Sequence, residues 1–396
     1  MTHPESSRRS LLKLGAAALP ALALGAALPT TARAATATPA AAPAVTPSGV
    51  QLRMPAEDGR HVRTFMAWPA LSSVWGRSLS GVRGDIARVA HQISRYEPVV
   101  VLARPEQAAD ARYGCGYGAS YDITVLEIAN DDLWIRDFGP TFVTGPGAIA
   151  GVDTNFNGWG KRGTSYDQPY ANDAAAAATL LAEYGVDRVR ASFTGEGGSL
   201  ETDGEGTLLA TVSSLVNGNR NPGRSQAQVE QAVRSALGID KVIWVPGLAG
   251  QDITDCHIDC LARFIAPGRV MLDQPGPGTD ARWVAVYDAT KKALRSATDA
   301  QGRPLAITEL PGPDRRLIRG TGKEFLSSYT NYYTANGAVF VPQFGDDHSD
   351  GTAYAVLQAA YPGRDIVQID IDNIADGGGG IHCSTQSQPV VPPAVR

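Results

Sequence analysis

Close to the C-terminus, Gly377, Gly378, Gly379 and Gly380 run into Ile381, His382 and Cys383. Four consecutive glycines permit turns and close approaches that other residues do not. A cysteine on such a loop, in a chain with 4 cysteines, is a candidate nucleophile. It attacks as the thiolate, which requires a positive neighbour or a base. His257 is a candidate for both tasks and shuttles protons near neutral pH. Asp259 follows two residues later and on a strand would share a face with His257. Cysteine, histidine and carboxylate together would suit a cysteine protease. The surplus of acids argues against that, because acyl transfer needs an oxyanion hole rather than several carboxylates. Asp137, Glu196 and Asp259 suit a flat cation instead. A guanidinium presents a fork of N–H donors that pairs bidentately with carboxylates.

Taken singly, most of these residues also have ordinary structural readings. Asp137 follows Arg136 and suits an ion pair, Glu196 suits a turn cap, and His257 suits a hydrogen-bonded core histidine. Cys383 is the exception, since the glycine run beside it has no packing role. Cys256, His257, Cys260, His382 and Cys383 are metal-ligand types, so an exported, non-catalytic metal-binding protein is the rival from another class. On an extended strand, however, Cys256 and Cys260 would lie ~13 Å apart. That separation is poor for one tetrahedral ion and too long for a direct disulfide. No metal site is assigned.

These loops need elements to position them. A short apolar strand is expected at Phe65 to Trp68 and a buried one at Val99 to Leu102, with another at 123–128. Residues 80–96 have helical spacing, with Val82, Ile86, Val89, Ala90 and Ile93 on one face. Further helices are expected at 171–184, 226–237 (with Gly238 as C-cap), 283–294 and 352–360. Further strands are expected at 141–143, 189–193, 207–212, 241–245, 261–265, 338–342 and 366–371, with Asp203-Gly204-Glu205-Gly206 as a hairpin turn. Helix, strand, polar loop and strand thus recur. Asp137, Glu196 and His257 lie 59 and 61 residues apart, and Cys383 lies 126 further on, twice 63. The absent member falls near residue 320, close to the stretch Tyr329 to Asn336. Such a period suits five similar α/β units around a centre; an ordinary α/β protein with chance spacing is the alternative.

The chain has 396 residues, of which 43% are hydrophobic, enough to bury a large core. Residues 1–34 read as a twin-arginine signal: Ser7-Arg8-Arg9-Ser10-Leu11-Leu12-Lys13, an apolar run to about Leu28, and the small-x-small site Ala32-Arg33-Ala34. Pro20 and Pro29 count against a membrane anchor. Residues 35–48 read as an Ala/Thr/Pro-rich linker and 49–396 as the catalytic domain. Export to the cell envelope or beyond is therefore expected. Loss of a leader of net charge +3 takes the formal charge from −5 to −8, which argues against a nucleic-acid partner. No later segment is apolar enough to span a membrane. Oligomeric state, including a homo-oligomer, stays open.

The motifs together resemble the agmatine deiminases and the related bacterial-type peptidylarginine deiminases, within the guanidino-modifying pentein superfamily. The segments that carry the resemblance include Met54-Pro55-Ala56-Glu57, Trp134-Ile135-Arg136-Asp137-Phe138-Gly139-Pro140-Thr141, Glu196-Gly197-Gly198-Ser199, Asn219-Arg220-Asn221-Pro222, His257-Ile258-Asp259 and Gly378 to Gln386. They span about residues 51 to 391. The resemblance implies a five-bladed pseudo-symmetric α/β propeller. It also implies Cys383 as nucleophile, His257 as general acid and base, and Asp137, Glu196 and Asp259 as acids that bind or orient a small cationic guanidino substrate. Trp134 would line the channel, and no cofactor is needed. The implied reaction is hydrolysis of agmatine to N-carbamoylputrescine and ammonia; deimination of free or peptidyl arginine is the alternative. The chain departs from the family pattern at Asp58-Gly59-Arg60, Cys256, Cys260, Gly380 and Ser384. Export also sits oddly with polyamine synthesis, which is normally intracellular.

Overall fold

A computed structural model describes residues 49–320 and 322–394. The expected signal and linker lie outside the described residues. The strands form five small sheets. In the first, β1 (His61–Ala67), β2 (Val99–Ala103) and β3 (Ile123–Glu127) run parallel, with Thr64 opposite Val99 and Val99 opposite Ile123. The helix Leu79–Ile93 crosses between β1 and β2 and buries the expected face: Val82, Ile86, Val89, Ala90 and Ile93.

The other four sheets share one plan: an antiparallel hairpin, a helix, then a strand parallel to the second hairpin strand. The second sheet is β4 (Thr141–Gly145), β5 (Ala148–Asp153) and β6 (Asp187–Arg190), with helix Ala171–Glu183. The third is β7 (Glu201–Thr202), β8 (Thr207–Thr211) and β9 (Lys241–Val245), with helix Gln226–Leu237. The fourth is β10 (Ala262–Ala266), β11 (Arg269–Gln274) and β12 (Ala306–Pro311), with helix Ala281–Ser296. The fifth is β13 (Tyr333–Ala335), β14 (Ala338–Pro342) and β15 (Asp365–Ile369), with helix Asp347–Ala360. The last strand, β16 (Gln386–Pro389), returns to pair antiparallel with β1, Phe65 opposite Gln386. The result is the expected five-bladed α/β propeller, closed by its two chain ends.

Local chemistry explains where elements begin and end. Ser225 and Gln228 form a capping box at the helix Gln226–Leu237, and Gly238 ends it in the left-handed region at φ 66°. The helix expected from Thr352 starts five residues earlier, because Asp346 caps it and accepts from Ser349 N. The strand expected at 189–193 is instead β6, shifted toward the N-terminus. The largest correction concerns His257 and Asp259, which do not share a strand. Asp255 and Cys256 take positive φ of 60° and 70°. Asp252 Oδ1 accepts from Thr254 N and Cys256 N, and Ile258–Cys260 forms a single 3₁₀ turn. The premise that Cys256 and Cys260 lie four apart on a strand fails with it. Cys256 packs in the apolar core between sheets three and four, whereas Cys260 points elsewhere.

Candidate active site

Each blade begins where a loop leaves the preceding blade, and these five loops meet. The loop before β4 brings Trp134, the N-cap of the short helix Ile135–Phe138, and Asp137 within that helix, and the loop before β7 brings Glu196. The loop before β10 brings His257 and Asp259, that before β13 Asn331, and that before β16 Cys383. Backbone hydrogen bonds tie them together: Arg136 N donates to Cys383 O, and His382 N donates to Asn331 O. All five expected catalytic residues are buried here. Asn331 was not named in advance, although it lies in the stretch to which the sixty-residue spacing pointed.

His257 Nε2 lies 3.2 Å from Glu196 Oε2, and His257 Nδ1 lies 3.6 Å from Asp137 Oδ1 without a hydrogen-bond partner. Burial favours the neutral ring, but the charges of Asp137, Glu196 and Asp259 outweigh it and push the pKa up to about 9. Burial pushes the Asp137 carboxyl up to about 6, against the pull of His257. Trp159 Nε1 donates to its Oδ2 at 2.8 Å and Gly198 N to its Oδ1 at 3.2 Å. A methyl on Gly198 would stand 2.6 Å from His257 Nδ1, 2.8 Å from Asp137 Oδ1 and 3.1 Å from Asp259 Oδ2. Glycine there keeps the space between these groups open.

Glu196 is held by more than His257. Arg220 Nε donates to its Oε1 at 3.0 Å, and Arg220 Nη1 donates to Asp255 Oδ2 at 2.6 Å. Burial would raise the Glu196 pKa, but Arg220 and His257 hold it below the usual value. Its geometry is therefore that of a group orienting His257. Asp259 Oδ2 pairs with His382 Nδ1 at 2.8 Å, and His382 Nε2 pairs with Glu57 Oε2 at 2.8 Å. Arg263 and Arg136 also pair with Glu57, at 2.9 and 2.8 Å. Burial opposes the Asp259 charge, yet His382, His257 and Arg263 hold its carboxyl well below the usual range. Glu57 and Arg220 lie in motifs noted in the sequence, but their partners were not readable there.

Cys383 Sγ lies 3.2 Å from Asn331 Nδ2 and 3.5 Å from Asp259 Oδ2. Cys260 donates a hydrogen bond that lowers the Cys383 pKa, but burial and the charges of Asp259 and Asp137 leave it above the usual cysteine value. The glycine loop fits tightly. A methyl on Gly379 would stand 2.2 Å from the Trp134 ring, and one on Gly380 would stand 2.5 Å from Asn331 Oδ1. Among the described residues, Asp259, Cys260 and Cys383 bring ligand-type atoms within 4.8 Å of one another. Cys256, His257 and His382, expected in the rival metal set, are outside that group. Both ring nitrogens of His382 are already engaged.

A cleft of about 960 Å³ opens onto Cys383, His257 and Cys260, with Trp134 and Trp75 on its wall, their rings 6.0 Å apart. The closed ring of blades and the cysteine, histidine and carboxylates at its centre, taken with the chain's family and relatives, make it a hydrolase acting on a guanidino C–N bond. The chain belongs to the Porphyromonas-type peptidyl-arginine deiminase family, which it matches over residues 53–389. An agmatine deiminase from Stutzerimonas stutzeri (strain A1501) is 38% identical over 365 residues, covering 87% of this chain and 96% of that one. One from Pseudomonas aeruginosa (strain LESB58) is 36% identical over 369 residues, covering 88% and 98%. The solved structure of an Enterococcus faecalis agmatine deiminase superposes with a TM-score of 0.79 at 32% identity, covering 85% of this chain and 96% of that one.

Proposed function

We propose that the protein hydrolyses agmatine to N-carbamoylputrescine and ammonia through a covalent intermediate on Cys383. The observation that carries this reading is the buried Cys383 beside His257, Asp137 and Asp259 at the end of an acid-rich cleft. The cleft lining has seven Asp or Glu side chains, among them Asp167, Asp252 and Asp376, against three Arg or Lys side chains. Arg282 is already paired with Asp280, and Lys323 with Glu324. A substrate cationic at both ends suits such a lining.

Asp137 and Asp259 hold the guanidinium and keep it charged, which leaves its central carbon electrophilic. The arriving cation also offsets the negative charges that keep Cys383 protonated, so the thiol gives its proton up to solvent and the thiolate forms next to its target. Sulfur adds to the carbon. His257, cationic at neutral pH, gives its proton to a departing nitrogen, and ammonia leaves. The neutral ring then takes a proton from water, which attacks the thiouronium carbon; the C–S bond breaks and the ureido product is released. Glu196 and its Arg220 partner fix the ring throughout. Trp134 walls the channel beside the substrate chain.

The test is ammonia and ureido-product release with agmatine, arginine and an arginine peptide. Agmatine is expected to lead in kcat/KM by at least ~100-fold, because arginine brings a carboxylate into an acid-lined cleft. Cys383→Ala should lose at least ~10⁴-fold in kcat. Turnover of the peptide but not agmatine would replace the substrate with peptidyl arginine, and full activity in Cys383→Ala would refute the covalent route. Stoichiometric zinc in dialysed protein without ammonia release would favour the metal-binding reading instead. Export by the twin-arginine route belongs to the same proposal and rests on residues 1–34. Replacing Arg8 and Arg9 by lysine is expected to keep the protein in the cytoplasm; unchanged fractionation would overturn it.

A further inference from the structure

Cys260 is not required by the mechanism above, yet its sulfur is placed against the nucleophile. The sulfurs of Cys260 and Cys383 lie within 4.8 Å of one another. One amide spans both: Asn331 Nδ2 is 3.3 Å from Cys260 Sγ and 3.2 Å from Cys383 Sγ. One carboxylate does the same, with Asp259 Oδ1 3.3 Å from Cys260 Sγ and Oδ2 3.5 Å from Cys383 Sγ. Both cysteines line the cleft, so a small solute that reaches one reaches the other. Cys115 does not line the cleft, and Cys256, which does, packs in the apolar core between sheets three and four. A disulfide needs ~2.05 Å between the sulfurs, so the two side chains must rotate toward each other to form one.

We propose that Cys260 is the resolving thiol of an oxidation site centred on Cys383, which a peroxide converts into a reversible Cys260–Cys383 disulfide. In the first step Cys383 releases its proton to solvent, and the thiolate, a minority form at neutral pH that grows as the pH rises, attacks a peroxide oxygen. The S–O bond forms and the O–O bond breaks, so sulfur is oxidised to the sulfenic acid and hydrogen peroxide is reduced to hydroxide. In the second step Cys260 sulfur attacks Cys383 sulfur. The S–S bond forms, the S–O bond breaks, and the departing hydroxide takes the Cys260 proton and leaves as water. The disulfide occupies the nucleophile and stops turnover. It also halts Cys383 before the irreversible sulfinic acid, and a dithiol restores both thiols.

The test exposes the folded chain to a few equivalents of hydrogen peroxide, followed by peptide mapping and activity before and after dithiothreitol. In the wild type a Cys260–Cys383 cross-linked peptide is expected, with activity lost and then recovered to ~90% or more. In Cys260→Ser the loss is expected to persist, with recovery below ~20% and Cys383 found as sulfinic acid. Absence of the cross-linked peptide in the wild type, or equal recovery in Cys260→Ser, would overturn the assignment. The mapping needs no turnover and no variant, so it decides the matter even if Cys260→Ser misfolds or the substrate is not agmatine.

Discussion

Asp137 and His257 set the pH range in which the centre works. Asp137, pushed up to about 6, is neutral below that pH and anionic above it. His257, pushed up to about 9, is cationic below that pH and neutral above it. Holding a guanidinium needs the anion, protonating the leaving nitrogen needs the cation, and the raised Cys383 thiol must lose its proton, so kcat/KM is expected to be lost below about 6, to climb toward about 9 and to fall above it. Glu196→Gln removes one of the charges that hold the proton on His257, so its alkaline limb should move to lower pH. A pH–rate series on the two proteins checks this; an unmoved alkaline limb would sever Glu196 from the histidine. At this scale the sequence was generous. Residue types and spacing picked out Cys383, His257 and three acids, and all five meet. It missed Asn331 and the resting partners of Glu196 and Asp259. An asparagine has no chemistry that stands out in a chain, and a carboxylate's nearest cation is set by folding.

The loops matter as elements because they are compressed between neighbours. Gly380, beside the nucleophile, faces Asn331, whose amide occupies the space a side chain would take. Gly198 is the more sensitive position, since its missing methyl leaves the gap between His257, Asp137 and Asp259. Gly198→Ala is expected to lower kcat/KM by at least ~100-fold, the scale of a displacement of about 1 Å among reacting groups. Its melting temperature should stay close to that of the wild type, as no blade core is touched. Steady-state kinetics with a thermal melt checks both halves, and near-normal kcat/KM would show that the gap is not needed. Helices were legible from apolar period and caps, as at Leu79–Ile93 and Gln226–Leu237. The 3₁₀ turn at Ile258–Cys260 was not, because apolar and polar residues alternate from Cys256 to Cys260 and so read as strand. Positive φ at Asp255 and Cys256 is stabilised by Asp252, a contact that alternation of residue types does not encode.

At the scale of the whole molecule, the ring depends on its last strand. β16 gives β1 its second neighbour, and Gln386 Nε2 donates to Pro140 O at 2.6 Å across to the next blade. A chain ending at Thr385 would lose about four ladder hydrogen bonds, on the order of 4 kcal/mol in all. It would also leave β1 as an open edge next to the nucleophile loop. The expected result is an apparent melting temperature lower by about 5 °C, with activity lost. A melt unchanged within ~2 °C would show that the ring holds without this closure.

The roughly sixty-residue repeat, the helix faces and the set of reactive side chains were determined by the sequence alone, because local periodicity and residue chemistry survive in one dimension. The tertiary structure decided which charges neutralise one another. Arg220 takes Glu196, His382 and Glu57 continue from Asp259, and Cys260 turns away from Cys256 to face Cys383. Those pairings join residues between 24 and 325 positions apart. Distances within a few ångströms across such separations exist only once five blades have closed around a common centre.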